Sequence, residues 1–157
     1  MTGRAEVYRL KQRLDATFQR VQRAGGDSEV QSDFAKYLCV LVSGYLKKAV
    51  AELVLEHARI KGAPTLQRFV EKQTKRFTNA KAQRLQDFLG GFDPDWRRDL
   101  ESFLVDERKA AVDSVVAIRN QIAHGESVDL TYRRIGEYYE QLQLVVGRVS
   151  DLCAPTK

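Results

Sequence analysis

The sequence predicts an all-α protein, an antiparallel helical bundle with additional short helices. Three observations carry that reading. Apolar residues recur at steps of three and four along most of the chain, the spacing of one helix face. No stretch alternates apolar and polar residues as a half-buried strand would, and no internal repeat or low-complexity tract interrupts the pattern. Three prolines and ten glycines in 157 residues are too few for a loop-rich all-β chain. The length suits one domain over residues 1–157, with an N-terminal helix in residues 1–26 and a bundle core in residues 30–152.

Val7, Leu10, Leu14, Phe18 and Val21 form the first helical stripe, leaving Arg9, Lys11, Arg13 and Arg20 for solvent. Gly25-Gly26-Asp27-Ser28 ends it, because glycine accepts the left-handed geometry of a helix C-terminus. A second helix is expected from Ser32 or Asp33, either of them a competent N-cap. Its apolar residues, from Phe34 and Leu38 through Tyr45 and Leu46 to Leu53 and Val54, spread widely enough for the centre of a bundle. Lys61-Gly62-Ala63-Pro64 closes it. Residues 65 to 92 give only short amphipathic pieces around Leu66-Phe69-Val70 and Leu85-Phe88-Leu89, broken at Gly90-Gly91. Asp93-Pro94 reads as an N-cap with proline in the first helical position, opening a helix that buries Trp96, Leu100, Phe103 and Leu104. The next begins about Asp106, carries Ala111, Val112, Val115, Ile118 and Ile122, and stops at Gly125. In the last, Ile135, Tyr139, Leu142, Val146 and Val149 form a short heptad-like seam that needs a partner helix.

Lysine and arginine number 26 against 21 aspartate and glutamate, and this modest excess favours an anionic partner. Its distribution is uneven. Residues 59 to 84 hold eight basic residues against Glu71 alone, whereas residues 85 to 113 hold four basic and eight acidic ones. One account is a solvated surface whose two halves attract each other. The other is a phosphate-tracking surface, with Arg68, Lys72, Lys75, Arg76, Lys81 and Arg84 binding RNA by releasing its counterions. Two cysteines cannot build a disulfide scaffold. His57 and His124 stand apart from each other and from Cys39 and Cys153, so neither a metal site nor a cofactor is expected. Cys39 reads as a small buried hydrophobe, Cys153 as a tail residue, and His57 as a packed or surface histidine. The tyrosines Tyr45, Tyr138 and Tyr139 could stack on bases, but their helical spacing fits a core. The first residues have no apolar h-region, so no secretory signal is expected, and the most apolar stretch is interrupted by Lys47, Lys48 and Glu52, so no membrane span is expected either. A reduced, cytoplasmic protein follows.

The most informative stretch is Ile118-Arg119-Asn120-Gln121-Ile122-Ala123-His124-Gly125. It reads RNxxAHG, closes a helix, and precedes another long helix after a short polar loop. The string resembles the signature of the HEPN superfamily, in which arginine and a polar residue, often asparagine, are followed some residues later by histidine. The layout is similar to the branch that holds the RiboL-PSP and MAE_28990-like domains. Ser43-Gly44-Tyr45-Leu46, the Asn79 region, Phe88-Leu89, Trp96 and Val128-Asp129-Leu130-Thr131 carry that likeness. It spans roughly residues 30 to 150 and implies a helical bundle acting as a dimer. There are departures. Family members often place an acidic or small polar residue on the second helix facing the motif, whereas this chain continues with Lys47-Lys48 and has its nearest acid at Glu52. A related branch of toxins continues the motif as HxY; here Gly125-Glu126 follows His124.

The resemblance implies RNA cleavage without a metal, toxin, defence or RNA-processing in kind. The ribose 2′-OH attacks the adjacent phosphodiester, leaving a 2′,3′-cyclic phosphate and a 5′-OH. The reaction asks for a base, an acid, and positive charge beside the transition state. Imidazole titrates near 6.5 in model peptides and serves either proton-transfer role, worth roughly 10²–10⁴ in rate. A guanidinium stays charged and donates paired hydrogen bonds to phosphate. Arg119, Asn120 and His124 are therefore the expected catalytic set, with Asn120 orienting His124 or pinning the backbone. The bland alternatives are a helix cap for His124 and a salt bridge to Asp113 or Glu126 for Arg119. Five residues separate Arg119 from His124, about 140° around an ideal helix. That spacing favours a homodimer with the active site at its two-fold interface. The expected partners are thus RNA and a second copy, with a cognate antitoxin or larger defence complex also allowed, and no membrane. Two other functions stay open: a non-catalytic HEPN module that binds RNA or nucleotide or assembles a complex, and a plain helical interaction protein with an accidental motif.

Overall fold

The structure is a computed structural model and describes residues 2–154, so the outermost expected limits, 1 and 157, lie outside the described residues. Among these are seven helices and no strand: α1 (Gly3–Ala24), α2 (Ser28–Lys61), α3 (Pro64–Arg76), α4 (Ala82–Gly90), α5 (Pro94–Phe103), α6 (Asp106–Ala123) and α7 (Tyr132–Leu152). The all-α class predicted by the periodicity is the class observed. No helix among the described residues is long and apolar enough to cross a membrane.

Helix α2 is the centre, packing against α1, α3, α6 and α7. Leu38, Val42, Leu46, Val50 and Val54 are fully buried along it. At about 1.5–3 kcal/mol per buried side chain, this face holds the bundle together. The helix starts at Ser28, earlier than the expected Ser32 or Asp33. The Asp27 carboxylate accepts the Val30 N–H at 2.9 Å, and Glu29 adds favourable charge in the first turn. The chain therefore turns within the two glycines alone.

Helix α1 shares this core through Leu14, Phe18 and Val21, with Val7 and Leu10 partly buried. Its first residue must be glycine, because a Cβ on Gly3 would lie 2.6 Å from the Glu52 carbonyl oxygen. Phe18 stacks on Tyr139 (centroids 4.9 Å apart), and Tyr45 meets Tyr139 edge-on at 5.8 Å. The Tyr139 hydroxyl donates to Asp15 at 2.6 Å. Burial, reinforced by the Asp15 carboxylate, pushes the Tyr139 phenol far above its ordinary value, and burial pushes Tyr45 up to about 12. These two tyrosines belong to the core, as their spacing suggests.

The α7 seam is buried along its whole length, so its partner lies within the same chain, on α2 and α6. Cys153 is not a tail residue. It caps α7 in a buried position, and burial pushes its thiol up to about 12, as it does for Cys39. The weak region at 65–92 contains two complete helices. Pro64 takes the first position of α3, and α4 is capped from a distance: Asp113 on α6 accepts the Ala82 N–H at 2.9 Å. Asp93 caps α5 as expected, accepting the Asp95 N–H at 2.8 Å. Phe103 is only partly buried, lying under the guanidinium groups of Arg108 (4.3 Å) and Arg148 (5.3 Å).

Among the described residues, four of the eight acids in the acidic segment are ion-paired, three of them with basic residues of the same segment. Asp87 pairs with Arg97 (2.8 Å), Asp95 with Arg98, Asp113 with Lys109 (3.1 Å), and Asp99 with Arg148 on α7 (2.6 Å). The Arg97 hydrogen bond, helped by Gln83, holds the Asp87 carboxyl below its usual range. Among the described residues, none of the eight basic side chains between 59 and 84 has a carboxylate within 4 Å. The attraction between the two segments is not realised as ion pairs.

Candidate active site

The motif occupies the last turn of α6. His124 is the C-cap, with its N–H donating to the Asn120 and Ile122 carbonyls, and Gly125 follows at φ +73°. The Gly125 N–H donates to the Ile122 carbonyl at 3.1 Å and the Glu126 N–H to the Gln121 carbonyl at 2.9 Å. These are the two bonds of a Schellman ending, in which glycine takes the left-handed position. The backbone of His124 thus has the capping role that a bland reading gives it. Its side chain is exposed and lines a cleft.

That cleft, about 590 Å³ in volume, lies between α2, α6 and the segment joining α3 to α4. Arg119, Asn120 and His124 all line it. The 140° separation expected on an ideal helix does not keep the two side chains out of one cleft, since both line it. One chain presents both groups to one space.

Asn120 does not orient His124. Its amide nitrogen donates to Asn79 Oδ1 at 3.1 Å, and its oxygen accepts from Arg119 Nη1 at 3.4 Å. Asn79 has φ +51°, a left-handed conformation that asparagine tolerates better than most residues, and it lines the cleft beside Thr78 and Ala80. Phe77, fully buried and stacked on Phe88 at 4.4 Å, anchors this segment. Arg119 makes no salt bridge among the described residues. Asp113 is already engaged by Lys109 and the start of α4.

The opposite wall comes from α2, with Ser43, Gly44, Lys47 and Lys48 facing the motif. A Cβ on Gly44 would meet nothing within 4 Å, so packing does not require glycine there and its absence of side chain keeps the floor open. The lining has three basic side chains, Lys47, Lys48 and Arg119, and no carboxylate. Glu52, the nearest acid on α2, belongs to the turn that receives Gly3 of α1. Such a cleft attracts phosphate and offers it one imidazole.

Arg119, Asn120 and His124, the set expected from the sequence, share this cleft, and Lys47 and Lys48 join it unexpected. The signal was present: they follow Gly44 by three and four residues, one helical turn, and so share its face. None of the six expected RNA-binding residues lines this cleft. Lys81 directly follows Ala80 at its edge, and Arg68, Lys72 and Lys75 form an exposed outer stripe on α3. Arg76 and Arg84 line a second groove, between α3 and α4. Among the described residues, no three His, Cys, Asp or Glu side chains are grouped as metal ligands would be.

The RiboL-PSP-HEPN family model matches residues 6–154, so the match takes in α1 as well as the motif helix. No curated protein and no solved structure matches the chain. With that match spanning nearly all of the described helices, the chain belongs to the RiboL-PSP-HEPN family of the HEPN superfamily.

Proposed function

We propose that the protein is a metal-independent endoribonuclease of the toxin, defence or RNA-processing kind. The observation that supports this most is the composition of one cleft: Arg119, Asn120 and His124 face Lys47 and Lys48, with no carboxylate among the lining residues. In this reading Arg119 and the two lysines hold the scissile phosphate and offset the charge of the transition state. His124 moves a proton at the 2′-OH or at the leaving 5′-oxygen. Asn79 and Asn120 act as positioning residues, fixing the guanidinium of Arg119 toward the phosphate. The RNA backbone leaves past Lys81 and the outer stripe of α3, Arg68, Lys72 and Lys75.

The test is incubation of the purified protein with mixed RNA in EDTA, beside His124→Ala. The expected result is cleavage to 2′,3′-cyclic phosphate and 5′-OH ends, reduced at least ~10²-fold in the variant. Thermal stability should change little, since the imidazole is exposed. Cleavage abolished by EDTA, or retained in full by the variant, would defeat the proposal. One observation favours a second reading, a binding module for RNA or nucleotide. A single chain's cleft holds one imidazole for a reaction that uses both a base and an acid. Salt-sensitive binding without cleavage would select it.

A further inference from the structure

The second groove, about 650 Å³ in volume, lies between α3, α4 and the end of α2, and its walls are largely apolar. Helix α3 is amphipathic, yet its apolar stripe is buried at one end only. Phe77, the C-cap of α3, is fully buried and Val70 partly so, whereas Leu66 and Phe69 are 60% and 58% exposed. They stand on the groove wall, facing Phe88 and Phe92. Scattered exposed hydrophobes need no account, but adjacent ones lining a concavity mark a contact surface. The rim is cationic. Lys61, Arg76 and Arg84 line it without a carboxylate within 4 Å among the described residues. Asp87, the one acid in the lining, is held by Arg97 at 2.8 Å.

We propose that this groove docks an acidic amphipathic helix of a partner protein. The helix would lay its apolar stripe on Leu66, Phe69 and Phe88 and set its carboxylates against Lys61, Arg76 and Arg84. Charge complementarity selects this occupant: unpaired cations flank an apolar floor, the inverse of a helix with one apolar face and acidic flanks. RNA satisfies the cations but not the floor. Phe88 already has Phe77 stacked on it at 4.4 Å and Phe92 edge-on at 5.6 Å, and Leu66 has no ring, so Phe69 alone is open to a base, whereas an apolar helix face covers Leu66, Phe69 and Phe88 together. A second copy of this chain fits less well. Its own α5 carries Arg97 and Arg98 among Asp95, Asp99 and Glu101, and Asp95 and Asp99 are held by Arg98 and Arg148, which leaves Glu101 alone to meet the cations. The site is separate from the motif cleft and does not depend on RNA cleavage.

The experiment uses the whole protein and a labelled synthetic peptide of about 16 residues, long enough for four helical turns. Leucines occupy one stripe and glutamates the remaining positions; a twin carries lysine for every glutamate. Fluorescence anisotropy should show binding of the acidic peptide with a dissociation constant of roughly micromolar order, and none of its twin. Phe69→Ser and the double variant Arg76→Glu, Arg84→Glu should each weaken binding at least about tenfold, with melting temperatures unchanged because all three side chains are exposed. His124→Ala should leave peptide binding intact. Failure of the acidic peptide to bind, or equal binding of both peptides, overturns the proposal. So does a tenfold loss of oligouridylate binding in Phe69→Ser, which would make the groove a nucleic-acid site. Sedimentation showing that Phe69→Ser disperses a dimer would instead assign the groove to a second copy, and would equally overturn it.

Discussion

Lys47 and Lys48 change what the motif cleft can hold. Related domains often carry an acid or a small polar group facing the motif; here Ser43 is the small polar residue on that wall, no acid stands there, and Lys47 and Lys48 line the cleft with Arg119 and His124. An acid there would repel a phosphate; the lysines attract one. Their contribution is measurable through salt, because each phosphate neutralised on a single strand steepens the dependence of log affinity on log salt by about 0.7. Lys47→Gln and Lys48→Gln, each combined with His124→Ala to prevent cleavage, should therefore weaken single-stranded RNA binding and flatten that slope by about 0.7 per lysine. Slopes identical to that of the parent would remove both residues from the phosphate site. At this scale the sequence makes Arg119 and His124 candidates by their types, and the structure puts both on one cleft. The sequence could not announce the Asn79 to Asn120 bond, which joins residues 41 positions apart across a loop whose path is set by the burial of Phe77.

Helix ends show where local chemistry is readable. Asp93 and Gly125 act within a few residues of themselves, so their roles follow from sequence alone. The start of α4 does not, because its cap is Asp113, supplied from another helix. The early start of α2 shows local rules in competition: Asp27 suits a turn after the two glycines, yet it serves as the N-cap. Two glycines in the site test the difference between backbone demand and open space. Neither would bring a Cβ within 4 Å of anything, but Gly125 sits at φ +73° while Gly44 lies inside α2. Gly125→Ala should cost about 1–2 kcal/mol through the left-handed penalty. Gly44→Ala should stabilise the fold by up to about 1 kcal/mol through helix propensity, yet slow cleavage by raising the cleft floor. Denaturant midpoints and cleavage rates on the same two proteins check both signs. Equal effects of the two substitutions on stability would remove the conformational argument.

At the scale of the whole molecule, periodicity revealed the bundle because one central helix buries apolar residues on most of its circumference, and its neighbours each bury a single stripe. What periodicity could not reveal is which surfaces stay open. The α7 seam is closed inside the chain and offers nothing to a dimer axis, while the motif cleft is open and holds one imidazole. Cleavage through 2′-OH attack uses a base and an acid in the same turnover. A two-fold axis beside the cleft would repeat Arg119 and His124 from a second copy, so that one histidine serves as base and its mate as acid. This arrangement makes a quantitative prediction. When wild-type and His124→Ala subunits are mixed and allowed to exchange, only wild-type pairs keep both histidines. Activity should then follow the square of the wild-type fraction, about one quarter in an equal mixture, whereas independent active sites would leave about one half. Cysteine chemistry will not confuse the exchange, because burial holds both thiols protonated at neutral pH. Sedimentation at the assay concentration supplies the companion measurement. A linear dependence on wild-type fraction, or a monomer cleaving at full rate, would return the whole reaction to the single-chain cleft, with a lysine of α2 left to supply the second proton transfer.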